Sequence, residues 1–180
     1  MDNSIKKTAA YLEELYRWNE KINLTSVEME KANEILVMPT LEMIKHFPAE
    51  SGLKVFDIGS GGGIPAIVLA INMPGNTFFA IESVKKKYNF LVHIVSFLGM
   101  ENLLPINERT ETVEEKLEFF EAADVITSRQ VDPAIIYQSA DHILRHDGRV
   151  ILHRSQNENY DHDDFKVIST TPNVISLDWK

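Results

Sequence analysis

The sequence contains no cysteine, which removes disulfides, thiolate metal sites and a cysteine nucleophile together. It also lacks any surplus of positive charge. Eighteen Lys and Arg stand against 27 Asp and Glu, a formal net charge of −9, so a polyanion would have to be met by local basic patches rather than by bulk electrostatics. No apolar run is long enough to span a bilayer. The amino terminus, Met1-Asp2-Asn3-Ser4-Ile5-Lys6-Lys7, is not followed by the apolar core and small-residue cleavage site of an export signal. A cytoplasmic protein with no membrane partner is the expectation. No Ser/His/Asp set and no His pair at metal-ligand spacing is evident, and Asp161-His162-Asp163 lies in a polar stretch that reads as a solvated loop. No metal site is therefore expected.

Glycine is scarce too, and half of it stands in one place: four of the eight glycines lie between positions 59 and 63. They follow a buried-type strand in the run Val55-Phe56-Asp57-Ile58-Gly59-Ser60-Gly61-Gly62-Gly63-Ile64-Pro65. A strand entering such a turn brings backbone close to a ligand, because glycine accepts positive φ and leaves no side chain in the way. Asp57, at the strand end, suits a cationic ligand better than a diphosphate. Glu82 ends the next apolar run, Thr77 to Ile81, where an acid can accept both ribose hydroxyls. Both acids favour S-adenosylmethionine (SAM), with its sulfonium and ammonium groups, over a dinucleotide.

At 180 residues the chain suffices for one domain with its own core. Helical spacing runs from Ile5 to Trp18, and Trp18 reads as packing that helix onto the domain. A second helical stretch, Glu30 to Lys45, has Pro39 inside it, which should kink or split it. Residues 1–50 thus form a helical extension and 51–180 the ligand-binding domain. From Lys54 the chain alternates: strands Lys54–Ile58, Thr77–Ile81, Leu103–Ile106, Ala123–Ser128 and Arg149–His153 are separated by helices Ile64–Ile71, Val84–Leu98, Thr112–Phe120 and Pro133–Leu144. Two antiparallel strands, Phe165–Thr170 and Val174–Trp179, follow. The pattern is a doubly wound, mostly parallel α/β sheet.

Several separated motifs resemble one family. Leu15-Tyr16-Arg17-Trp18-Asn19-Glu20-Lys21-Ile22-Asn23-Leu24-Thr25, the glycine run with its proline, Ile81-Glu82-Ser83 with Lys86-Lys87, Arg109-Thr110-Glu111 and Ser128-Arg129 are similar to the signatures of the glucose-inhibited division protein B family. Its members are bacterial guanine-N7 methyltransferases of small-subunit (16S) ribosomal RNA. The resemblance implies a class I SAM-dependent methyltransferase (Rossmann-like) fold and SAM as cofactor. It also implies 16S ribosomal RNA or the small ribosomal subunit as partner. The cofactor set would be Asp57, Gly59, Ser60, Gly61, Gly63, Ile64, Glu82, Thr110, Glu111 and Arg129, with Arg129 also positioning the acceptor, and Lys86, Lys87 and Arg154 would face RNA. Guanine N7 carries a free lone pair, so no general base is implied. Two segments differ from the family pattern: Pro39-Thr40-Leu41-Glu42 replaces a histidine followed by an aspartate, and His153-Arg154-Ser155 replaces a lysine-glycine strand end. A different RNA or small-molecule acceptor, or SAM binding without transfer, are the competing readings.

Overall fold

The computed structural model describes residues 3–114, 119, 121–154, 160 and 162–179. Helix α1 (Asn3–Asn19) is followed by a broken helical stretch: short 3-10 turns at Met29–Lys31 and Ile44–His46 flank a π-helical segment, Asn33–Val37, and α2 (Met38–Met43). Pro39 stands in the first turn of α2, where its missing N–H costs nothing. The expected split falls there.

The sheet comprises β1 (Lys54–Ile58), β2 (Thr77–Ile81), β3 (Leu103–Ile106), β4 (Ala123–Arg129), β5 (Leu144–His153), β6 (Phe165–Thr170) and β7 (Val174–Trp179), in the order β3-β2-β1-β4-β5-β7-β6. The β1–β5 ladders are parallel, and β7 runs antiparallel between β5 and β6. Helices α3 (Ala66–Asn72) and α4 (Lys85–Leu98) connect β1 to β2 and β2 to β3. Between β3 and β4 lies α5 (Thr110–Glu114), and α6 (Pro133–Ile143) joins β4 to β5. The expected extension of α5 to Phe120 lies largely outside the described residues, as does much of the polar stretch from Ser155 to Asp161.

Strand alternation divides the core into two layers. Val55, Phe78, Val125 and Ile151 face Tyr11, Leu15, Ile67, Phe90 and Leu91 on one side of the sheet. Phe56, Ile81, Ile126 and Val150 face Val113, Ile136, Ala140 and Ile143 on the other. The amino-terminal helices therefore share the core of the first layer, and Trp18 packs its ring on Phe90 at 5.5 Å and on His93 at 5.0 Å.

Two strand bounds differ from the sequence reading. β5 begins at Leu144 instead of Arg149, because Leu144 pairs with Ala123 and the ladder passes an irregularity before Val125 meets Arg149. β4 extends through Arg129, which pairs with His153. The first change shows ladder pairing overriding a local turn signal at Asp147-Gly148.

Candidate functional site

The glycine run forms a turn at the carboxyl edge of the sheet, between β1 and α3. Gly59, Gly61 and Gly63 all have positive φ, +70°, +56° and +89°. A Cβ at Gly59 would stand 2.6 Å from Val131 Cγ2, and one at Gly63 would enter Ile67. The turn closes on itself through Gly63 N to Ser60 O at 2.7 Å, and Ser60 N donates to Ile81 O at 2.9 Å, which draws it toward the end of β2.

Three side chains hold this loop. Glu82, almost fully buried, accepts from Gly61 N (2.9 Å) and from Val84 N (2.7 Å). It fastens the turn to the start of α4. Tyr11 of α1 donates to Gly62 O at 2.7 Å across 51 residues of sequence. Asp57 accepts from Ser60 Oγ (2.6 Å) and Thr127 Oγ1 (2.8 Å) and is completely buried.

Asp57 requires a correction. The sequence reading gives it a direct pull on a cationic ligand, but the structure places it beneath the turn, where it anchors Ser60 to β4 and has no solvent-facing oxygen. Burial raises its pKa to about 7 against the opposing help of the Ser60 and Thr127 hydroxyls, so its charge at neutral pH is partial.

A segment from the amino-terminal region covers the turn. Asn19, the last residue of α1, accepts from Leu24 N (2.8 Å) and Thr25 N (3.0 Å) and donates to Thr25 O (2.9 Å), which pins the chain that follows over the glycines. Gly62 lies so close to that chain that a Cβ would be 3.2 Å from Leu24 O and 3.1 Å from Leu15 Cδ1. A cavity of about 190 Å³ results, walled by Gly59–Gly62, Ile64, Leu24–Val27, Leu15, Leu36, Lys87, Arg129 and Gln130.

Arg129, the last residue of β4, is half-buried, and its Nε is buried with no hydrogen-bond partner. Burial lowers its pKa, opposed by the nearby Tyr11. Its ladder partner His153 is pushed down to about 4, by burial first and then by the Arg129 charge, although Glu42 acts in the opposite direction. Glu42 accepts from Asn173 Nδ2 at 2.9 Å. The two segments that depart from the family pattern thus converge on each other beside Arg129.

Of the expected cofactor residues, Gly59, Ser60, Gly61, Ile64 and Arg129 line the cavity, Gly63 packs behind it on Ile67, and Glu82 closes the loop from the β2 side. Thr110 and Glu111 stand at the start of α5 and do not line the cavity. The loop before them is tied in by Asn107, which donates to Glu82 O (2.8 Å) and Ser83 O (3.1 Å). Lys87 lines the cavity, whereas Lys86 is exposed on α4. Arg154 is exposed and reaches Thr170 Oγ1 at 3.4 Å on β6, away from the cavity. Tyr11, Gly62, Asn107 and Gln130 were missed as site residues. Gly62 and Asn19 stood inside motifs that the sequence had marked. No group of three or more potential metal ligands occurs among the described residues, and no described helix is long and apolar enough to cross a membrane.

The sequence model of the family described as GidB, rRNA small subunit methyltransferase G, matches residues 4–177. The chain belongs to this family. A ribosomal RNA small subunit methyltransferase G of Salmonella agona is 39% identical over 103 residues, covering 57% of this chain and 49% of that protein. Its counterpart from Clostridium perfringens is 35% identical over 133 residues, 72% of this chain and 55% of that protein. The chain spans about half the length of these curated relatives. Among solved structures, a SAM dependent methyltransferase from Aquifex aeolicus superposes with a TM-score of 0.57 at 13% identity, covering 92% of this chain and 96% of that one, which shows the shared Rossmann-like fold.

Proposed function

We propose that this member of the GidB family binds SAM against the Gly59–Ile64 turn and transfers its methyl group to N7 of a guanine in small-subunit (16S) ribosomal RNA. The observation that carries the reading is the covered glycine turn, held from three sides by Tyr11, Asp57 and Glu82 and walled by the cation Arg129. The residues fit such a cofactor: the glycines leave the space a Cβ would fill, and the orphaned Nε of Arg129 calls for an acceptor such as a carboxylate. Bound there, SAM supplies an electrophilic methyl whose C–S electron pair leaves with sulfur as the N–C bond forms.

The chain's own part is positioning. Glu82 keeps acceptor lone pairs beyond its two backbone bonds for the ribose hydroxyls. Leu24–Val27 exclude water above the turn, and holding the attacking nitrogen opposite the sulfur accounts for much of the rate. N7 attacks with a free lone pair, so no proton has to be taken. His153, whose pKa burial and the Arg129 charge push down to about 4, would be only a weak base. RNA meets the face carrying Lys86 and Lys87, while Thr110 and Glu111 flank the adenine side beyond Asn107. The cytoplasm is the compartment this substrate implies.

Incubation of the purified chain with methyl-labelled SAM and small ribosomal subunits or their RNA tests the reading. Label in 7-methylguanosine is expected, and Arg129→Lys should slow transfer although the charge is kept, since lysine cannot reproduce the planar guanidinium contacts. Label on another atom, or on no RNA, would refute the proposal.

A further inference from the structure

The sheet order sets β1 between β2 and β4, so a ligand held by Glu82 just after β2 and by Arg129 at the end of β4 must cross the end of β1. Two strand spacings separate those points, about 10 Å. The glycine turn lies on one side of that path and Leu24–Val27 on the other. At Gly62 the two touch, since a Cβ there would be 3.5 Å from Leu24 Cβ and 3.2 Å from Leu24 O. The space left between them, about 190 Å³, is below the roughly 300–1,000 Å³ of a pocket that encloses a ligand of SAM's size. Packing alone holds the segment to the turn: no hydrogen bond among the described residues joins Leu24–Val27 to Gly59–Ile64. Its fastenings run to α1 or within itself. Asn19 bonds Leu24 and Thr25, Tyr16 Oη donates to Val27 O at 2.8 Å, and Val27 N donates to Thr25 Oγ1 at 3.1 Å. Backbone turns fix both ends, Ile22 N to Trp18 O at 3.0 Å and Lys31 N to Glu28 O at 3.0 Å.

We propose that Leu24–Val27 is a gate, a strap that lifts off the glycine turn to admit the cofactor and closes over it. The inference rests on the SAM reading above and adds how that site is loaded and emptied. Lifting breaks bonds to α1 and none to the turn, so the open form is a minor state whose population the Asn19 and Tyr16 bonds set. Entry and escape both pass through it. Removing one fastening therefore raises both rates together and leaves their ratio, Kd, nearly unchanged while the closed form remains the majority. A residue that only contacts the bound ligand behaves differently, because its loss acts mainly on the dissociation rate.

The test measures association and dissociation rates of S-adenosylhomocysteine on the full chain, with two variants. In the first, Leu24→Cys is combined with Gly62→Cys. The chain has no cysteine of its own, so one disulfide can form, and the 3.5 Å between the two Cβ positions suits it. Gly62, unlike Gly59, Gly61 and Gly63, lies outside the positive-φ region and accepts a side chain there. Oxidation of the empty protein should slow association at least about a hundredfold relative to the reduced pair, and oxidation after saturation should slow dissociation by a similar factor. The second variant, Tyr16→Phe, frees Val27 O without touching the cavity wall. Association and dissociation should both accelerate about fivefold, with Kd within about twofold of the parent. Equal rates for the oxidised and reduced pair would overturn the gate, as would a Tyr16→Phe protein in which dissociation alone changes or neither rate does. Should the paired cysteines impair binding even when reduced, the Tyr16→Phe rates decide alone. Failure of the unaltered chain to bind S-adenosylhomocysteine would instead bring down the SAM reading and this inference with it.

Discussion

At the residue scale, the site depends on acids that do different work from what their positions in a motif suggest. Glu82 anchors the loop and, in the proposed reading, also accepts the ribose hydroxyls, so Glu82→Ala should weaken S-adenosylhomocysteine binding by about tenfold or more, the loss of charge-assisted hydrogen bonds. Calorimetric titration measures it, and unchanged affinity would remove Glu82 from the site. Asp57 and His153 make a paired prediction about pH. Asp57 has a folded pKa raised to about 7, so the folded state holds the extra proton and stability falls as pH rises from the ordinary carboxylate range to neutrality. His153 has a folded pKa lowered to about 4, so the unfolded state holds the extra proton and stability rises as pH climbs from there to the ordinary histidine range. The two slopes oppose each other over much the same window. Denaturant unfolding between pH 4.5 and 6.5 should therefore show stability rising more steeply with pH in Asp57→Asn than in the parent, and falling more steeply in His153→Gln. Parallel pH profiles for all three proteins would contradict the assignments.

At the element scale, α1 shapes the candidate site. Its last residue pins Leu24 and Thr25, and Tyr11 in its middle holds Gly62. Tyr11→Phe should cost about 1 kcal/mol of stability, and Asn19→Ala about 1–3 kcal/mol because three bonds go at once. Both should weaken S-adenosylhomocysteine binding severalfold. Thermal unfolding and titration check the pair, and a stability loss with unchanged affinity would mean that Leu24–Val27 does not shape the site. Asn19, Leu24 and Thr25 lay within a marked motif, but the part played by Tyr11 was invisible in the sequence for a physical reason. Local patterns placed the bounds of β1, β2, β3, β6 and β7, since each is an apolar or β-branched run between turn residues, and the glycine turn with Glu82 was legible because both lie at strand ends. Tyr11 reaches its partner across 51 residues, and no local pattern encodes that. Gln130 carried no signal either, because its positive φ follows from the packing of Val131 on Gly59. The start of β5 was misplaced because the Ala123–Leu144 pairing outweighs a nearby Asp-Gly.

At the scale of the whole molecule, the chain is acidic while the cavity wall contributes two cations, Lys87 and Arg129. A net charge of −9 repels RNA at long range, so the proposed association would rely on a small basic surface, and few phosphates would be neutralised. Lys86→Ala, on the exposed face of α4, should raise KM for RNA with little change in S-adenosylhomocysteine affinity, and filter binding at graded salt should show a shallower salt dependence than in the parent. The central claim concerns one base in one RNA, and the most direct measurement reads that base in cells. Small-subunit ribosomal RNA from cells with and without the gene is sequenced by a method that detects 7-methylguanosine. The account predicts the loss of a single 7-methylguanosine when the gene is absent and its return when the gene is restored, but not when Glu82→Ala is supplied in its place. An identical pattern of 7-methylguanosine in both RNAs would contradict it.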